Sequence, residues 1–336
     1  MIDQQTVLEI VEKTQQRREA RRSFLRAAGG ATVMAGGLSL LSACGDDDDD
    51  TPTPAPTPTP ISSADAQDIA VLSFALQLEY LEAQFYSFAA FGAAINSNLL
   101  AGTGTQGAVI TSASATTGTG VPRGVQFSDQ VIAQYAREIA FDEIAHVAFL
   151  RTALGSAAPA QPAINISGGT GSPFAAAAMA AGIPGGSAFD PYANDFSFLL
   201  GAYIFEDVGV TAYKGAARLV TNKTYLEAAA GILAAEAYHA GLVRTILYNR
   251  GATVADLRIN ADRISDARDT LDGSGERDQG ISGTLTASNI VPTDPNGIAF
   301  SRTTNQVLNI VYLNPAAGVT GGGFFPAGIN GSIRTT

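Results

Sequence analysis

Glu143-Ile144-Ala145-His146 and Glu236-Ala237-Tyr238-His239 hold the only two histidines of a 336-residue chain, each with a glutamate three places before it. Both segments lie inside long runs with apolar residues at three- and four-residue spacing and few breakers, which is the periodicity of a helix. Three residues advance a helix by about 300°, leaving the two side chains roughly 60° apart and one turn along, so carboxylate and imidazole can reach one point. A lone helical histidine is ordinarily a hydrogen-bonded core or surface residue. Two such pairs are different, because a carboxylate beside an imidazole on an inward face is costly to bury unless its charge is compensated, and a divalent cation compensates it.

Working outward, the periodic stretches number four, at about 65–92, 128–154, 192–220 and 223–250. Glu79 in the first and Glu206 in the third each stand seven residues before a tyrosine, Tyr86 and Tyr213, and seven residues return a helix to nearly the same face. Aligning these glutamates also matches Ala75 with Ala202, Ala89 with Ala216 and Ala90 with Ala217. Aligning the histidines matches Arg151-Thr152 with Arg244-Thr245 and Leu154 with Leu247. The chain therefore repeats a helix pair whose first member offers one glutamate and whose second offers Glu-x-x-His.

That repeat nominates six metal ligands, Glu79, Glu143, His146, Glu206, Glu236 and His239, with Glu143 and Glu236 placed to bridge two ions. Four carboxylates and two neutral imidazoles balance the charge of two divalent cations and leave coordination positions for an oxygen ligand. Two iron ions are expected, with manganese as the alternative. Glu82 competes with Glu79 for the same face, but it aligns with Gly209 whereas Glu79 aligns with Glu206. Glu82 is therefore expected beside the metals or in a surface hydrogen bond. Asp142 and Asp207 point about 100° away from their neighbouring ligands and read as exposed or helper groups. Tyr86 and Tyr213 are expected to pack on the inner face with one satisfied hydroxyl beside the ligands, where a hydrogen bond to a ligand carboxylate or a radical role are the functional alternatives.

The joining segments set the topology. The Gly/Pro-rich stretch 155–191 is long enough to cross the length of a bundle, while the very short link between the third and fourth helices forces them antiparallel. The expected fold is all-α, a four-helix bundle over 64–251 with a long crossover between helices 2 and 3. Residues 252–336 carry one weak helical patch near 262–271 and otherwise read as an irregular extension packed on the bundle or on a partner. Through Leu78-Glu79-Tyr80-Leu81-Glu82-Ala83 and Phe324-Phe325-Pro326, residues 65–336 resemble the ferritin-like family of twin-arginine-exported bacterial proteins related to plant desiccation-related proteins. The resemblance implies the ferritin-like bundle and says little about the reaction.

The N-terminus reads as an address. Arg21-Arg22-Ser23-Phe24-Leu25-Arg26 and the short, weakly apolar run from Ala27 to Leu41 resemble a twin-arginine export signal. Leu41-Ser42-Ala43-Cys44 resembles a lipobox, and Cys44 is the only cysteine, so residues 1–43 are expected to be removed and Cys44 acylated. Residues 44–63, with five consecutive aspartates from Asp46 and a Thr-Pro alternation from Thr51 to Pro60, cannot build a core and read as an extended tether.

The net charge of -11 disfavours binding to phosphate backbones or to anionic lipid, so nucleic acid is not an expected partner. The expected partner is a membrane in the exported bacterial cell envelope, on the periplasmic side, through lipidated Cys44; a homo-oligomer is left open. No nucleophile elbow, phosphate loop or Cys-x-x-Cys occurs, which leaves metal chemistry: a di-metal oxidoreductase, ferroxidase-like or catalase-like, acting with oxygen or peroxide. The alternative from a different class is a structural or stress-protective envelope protein in which metal only staples the bundle. Iron storage in a closed shell fits poorly with a lipid tether and a large C-terminal segment.

Overall fold

The computed structural model describes residues 63–112 and 124–336. The arginine pair, Cys44 and the acidic and Pro-rich tether lie outside the described residues. Four long helices form the core: α1 (Ser63–Phe91), α2 (Gln130–Leu154), α4 (Asp195–Ala217) and α5 (Lys223–Arg250), with the short α3 (Pro173–Ala180) between the two pairs. Three of the four starts carry a local signal. Asp129, Asn194 and Asn222 accept hydrogen bonds from the free first-turn N–H groups of α2, α4 and α5. Gly155, at φ 55°, ends α2 in a conformation that disfavours a side chain.

The pairing is that of two antiparallel hairpins. Val125 N–H donates to the Ala89 carbonyl at 2.8 Å, so the start of α2 meets the end of α1. Asp68 near the start of α1 accepts from Thr221 and Asn222 N–H at 2.7 and 2.8 Å, which pins the α4–α5 turn to that end of the bundle. Burial pushes the Asp68 carboxyl up, but the Thr221 and Asn222 donors outweigh it and hold the group below its ordinary value. The α2–α4 connection runs the length of the bundle, as its length required.

The crossover is not structureless. It contributes β2 (Ile164–Gly168), which pairs in parallel with β1 (Val109–Ser112) in the first connection, Val109 opposite Ile164. It also contributes α3, started by Ser172 and Pro173. Short apolar runs of this kind are ambiguous in a sequence, and the Gly/Pro content around them hid both elements.

The C-terminal segment packs on the bundle and adds α6 (Asp256–Asp272), longer than the patch at 262–271, and α7 (Thr304–Val311), opened by a reciprocal Thr303–Gln306 cap. Phe324 is fully buried, its ring 5.0 Å from that of Phe174 and 4.9 Å from that of Phe205. Its N–H donates to the Val311 carbonyl, and its own carbonyl accepts from Asn165 N–H in β2. The Phe-Phe-Pro motif thus locks the tail onto both the helices and the crossover.

A buried ionic chain completes this attachment. Arg244 of α5 reaches Asp207 of α4 at 2.7 Å, Asp207 also holds Arg268 of α6 at 2.8 Å, and Arg268 meets Asp278 at 2.7 Å. Asp278 and Asp272 then both bind Arg302, at 2.8 and 2.6 Å. Arg244 Nη2 donates to the Gln279, Gly280 and Asn289 carbonyls as well. Asp207 is therefore not an exposed or metal-side helper group: the C-terminal segment covers its face, and two guanidinium groups compensate its charge.

α1 and α4 are buried on nearly every face. The crossover and tail enclose what would be the solvent side of a free four-helix bundle. Among the described residues no helix is long and apolar enough to cross a membrane.

Candidate metal centre

The six nominated residues converge at mid-bundle. Ligand-type atoms of Glu79, Glu143, His146 and Glu236 lie within 4.8 Å of one another, and those of Glu206, Glu236 and His239 form a second group meeting the same limit. Glu236 belongs to both. Glu143 also touches both imidazoles: its Oε2 is 3.4 Å from His146 Nδ1 and its Oε1 is 3.0 Å from His239 Nδ1. Glu79 lies on the His146 side, with Oε2 3.2 Å from Nδ1, and Glu206 on the His239 side, with Oε2 3.8 Å from Nδ1. The ring centroids are 6.3 Å apart, so the imidazoles flank the carboxylates.

These atoms face a common space more than they face each other. Both oxygens of Glu143, both of Glu236, Glu206 Oε2 and His239 Nδ1 are buried without a hydrogen-bond partner. Several have a neighbour at ion-pair distance, yet the alignment of a hydrogen bond is missing, as expected when lone pairs are aimed at a point between residues. Buried charged oxygens left unsatisfied in this way are strongly unfavourable. Oxygen and imidazole donors gathered in a buried cluster are the donor set of a divalent metal site.

The electrostatics follow from crowding carboxylates in a core. Burial, aided by Glu143 and opposed by His146, raises Glu79 to about 7. Burial likewise raises Glu206 to about 8, with Glu143 adding and His239 opposing. Glu236 is pushed well above the carboxylate range by burial and by Glu143 and Glu82. Burial acts in the same sense on Glu143, but the two histidines beside it win and hold it low. Burial alone would lower His239; Asp142, Glu143 and Glu206 instead raise it to about 10.

The groups around the cluster are equally specific. Tyr213 donates to Glu79 Oε1 and Tyr86 donates to Glu206 Oε1, each hydroxyl crossing from the opposite helix pair. Burial and these carboxylates keep both phenols protonated, with pKa values well above the ordinary one. Asp142 lies 3.4 Å from His239 Nε2, which directs that histidine's proton outward and leaves Nδ1 for the cluster. Arg151 extends the repeat: it binds the Tyr80 hydroxyl at 2.6 Å, and Arg244 binds Asp207, so equivalent arginines grip the residues that follow Glu79 and Glu206.

Glu82 is buried, so a surface hydrogen bond is ruled out for it. Its carboxyl is raised well above the ordinary range by burial and then by Glu143, Glu206 and Glu79. It stands beside the two groups without belonging to either. The position aligned with it is Gly209, where a Cβ would collide with Glu236 Oε2 and lie 3.5 Å from Glu82 Oε1. Here the repeat breaks: two acidic side chains share the space one residue vacates. No periodicity argument could have found this, because the relation is between helices.

Comparison with known proteins agrees with the geometry. The sequence profile of the family described as ferritin-like domain matches residues 67–249, more than half the chain. The desiccation-related protein PCC13-62 of Craterostigma plantagineum is 29% identical over 263 residues, covering 72% of this chain and 76% of its own. The ferritin-like catalase Nec2 of Nesocodon mauritianus is 27% identical over 286 residues, covering 81% of this chain and 86% of its own. No solved structure matches significantly.

Proposed function

The chain belongs to the ferritin-like domain family, and from that premise we propose that it is a di-metal oxidoreductase of the cell envelope that disproportionates hydrogen peroxide. The observation that carries the reading is the set of buried, unsatisfied carboxylate oxygens and the His239 Nδ1 aimed at one space. A pair of iron ions, or of manganese ions, held there would supply reversible electron transfer to peroxide. Overall, two peroxide molecules become one dioxygen and two waters. The name of the catalase relative supports this reaction over ferroxidation.

The chain's own residues have distinct parts. Glu143 and Glu236 stand between the two imidazoles and would be shared by the two ions, whereas Glu79 and Glu206 would each hold one. Tyr213 and Tyr86 hold those terminal carboxylates in one orientation by donating to the oxygen turned away from the centre. Asp142 keeps the proton of His239 on Nε2. The surrounding helices exclude bulk water, since all four ligand carboxylates are buried.

The desiccation-related relative supports a second reading, a protective envelope protein whose metal only stabilises the bundle. The two are separated by measuring metal content and oxygen evolution from peroxide for the purified chain and for His146→Ala. Two metals per chain with oxygen evolution, both lost in the variant, is the expected result. Metal without turnover would favour the protective reading.

The proposed location follows from the N-terminal sequence alone. Cys44 is proposed as the acylated first residue of the mature protein, exported through the twin-arginine route. Mass spectrometry of the exported chain and membrane fractionation of Cys44→Ser test this; an exported chain beginning upstream of Cys44, unmodified, would overturn it.

A further inference from the structure

On the Glu82 side of the metal centre, a cavity of about 20 Å³ lies between α1, α4 and α7. Leu78, Leu81, Ile204, Val208, Val311 and Phe324 form its apolar wall, and Glu82 and Gly209 are also part of the lining. The wall residues are buried, with α7 and Phe324 of the tail forming the outer side. Glu82 and Gly209 are the two points at which this space meets the cluster, because Gly209 backs directly onto Glu236 and Glu82 stands among the same carboxylates. The bare glycine is what keeps this approach free of a side chain.

The size and chemistry of the space narrow what it can hold. A cavity needs about 10–15 Å³ of this kind of volume to admit one water, and that water needs two to four polar partners. Here the volume suffices for one small molecule, but among the lining side chains only Glu82 is polar. Water, peroxide and a hydrated cation are all poorly matched to such a wall. A neutral apolar diatomic is well matched, since it loses no hydrogen bonds on entry and gains dispersion contacts with the surrounding carbons. The polar approach lies elsewhere: His146 keeps 12% of its side chain exposed and Asp142 29%.

We propose that this cavity is a dioxygen-holding site beside the di-metal centre, through which the gas leaves or reaches the metals, while peroxide and water use the His146–Asp142 side. The proposal rests on the peroxide and oxygen chemistry inferred above for its ligand, and on the cavity itself for its location. It also assigns a role to the C-terminal segment, which supplies one wall of the site through Val311 and Phe324.

Xenon is the probe, being apolar and of similar size. Crystals of the full chain held under xenon pressure are expected to show xenon between Leu81, Val208 and Phe324. Val311→Phe, which fills the space from the outside, should lose that xenon and slow reoxidation of the chemically reduced, metal-loaded protein by dioxygen at unchanged metal content. Val311→Ala, which enlarges the space without overpacking, should raise xenon occupancy. Xenon needs no metal, so a chain that binds no metal but shows xenon there would sink the proposed reaction and leave the gas cavity standing. Metal-loaded protein with ordered water in the cavity, or with xenon only elsewhere, would overturn this inference alone.

Discussion

Gly209 of α4 stands against the carboxylate of Glu236 of α5 so closely that a single added methyl would collide with Glu236 Oε2. Gly209→Ala should therefore damage the metal centre through sterics while improving helix propensity by about 1 kcal/mol. The expected outcome is retained helicity by circular dichroism with fewer than two metals per chain by elemental analysis. Glu82→Gln, which keeps the shape and removes the titratable proton, should keep two. A Gly209→Ala protein with two metals would show that Glu236 has room to move and that the glycine does not shape the site.

The crossed hydrogen bonds of Tyr86 and Tyr213 lead to a second expectation. Tyr86→Phe leaves Glu206 Oε1 without its donor, and Tyr213→Phe does the same to Glu79 Oε1. A buried acceptor left unsatisfied costs about 1–3 kcal/mol, more where it is charged. The metal-free variants should melt lower than the parent by a corresponding amount, and the double variant should bind metal more weakly than either single one. Unchanged melting and affinity in both would mean the phenols serve only as packing.

A third expectation concerns pH in the metal-free protein. Folding raises Glu79 to about 7, Glu206 to about 8 and His239 to about 10. A group whose folded pKa is raised contributes its stability fully below its unfolded value and loses it as pH rises through the folded value. The window thus opens above the ordinary carboxylate range and closes near pH 10. Glu143, which is lowered, has the opposite sign and acts only in acid. The metal-free melting temperature should fall steadily from about pH 5 to 9, whereas loaded protein should change little, because metal replaces the protons that relieved the crowding. Metal affinity should rise over the same range. A metal-free melting curve that is flat or rises with pH would contradict the packing of these carboxylates.

The ionic chain through Asp207 gives a fourth. Asp207→Ala leaves buried Arg244 without a carboxylate and buried Arg268 with Asp278 alone, and removing one partner of a buried pair typically costs about 3–5 kcal/mol. Denaturant unfolding should report a loss of that order, together with faster proteolysis of residues 252–336. Stability within about 1 kcal/mol of the parent would mean that the carbonyls around Arg244 suffice without the carboxylate.

By itself, the sequence determined the helical class, the order of the four long helices and the residues to look for at their centre. Periodicity along one helix fixes which side chains share a face, so Glu-x-x-His and the matched glutamates could be read without knowing what lay opposite. A short link and a long one then dictated which helices were antiparallel. Tertiary structure alone decided three things. Asp207 became a buried ion-pair partner because α6 and the tail cover its face, which no helical wheel of α4 reveals. β2, α3 and α7 are held by contacts with distant segments, and their short, weakly patterned sequences carry too little local signal to announce them. The break in the repeat at Glu82 and Gly209 is written in the sequence as a mere mismatch. Its meaning, room on one helix for the side chains of two others, exists only where the helices meet, because the space a glycine leaves is defined by the neighbours that fill it.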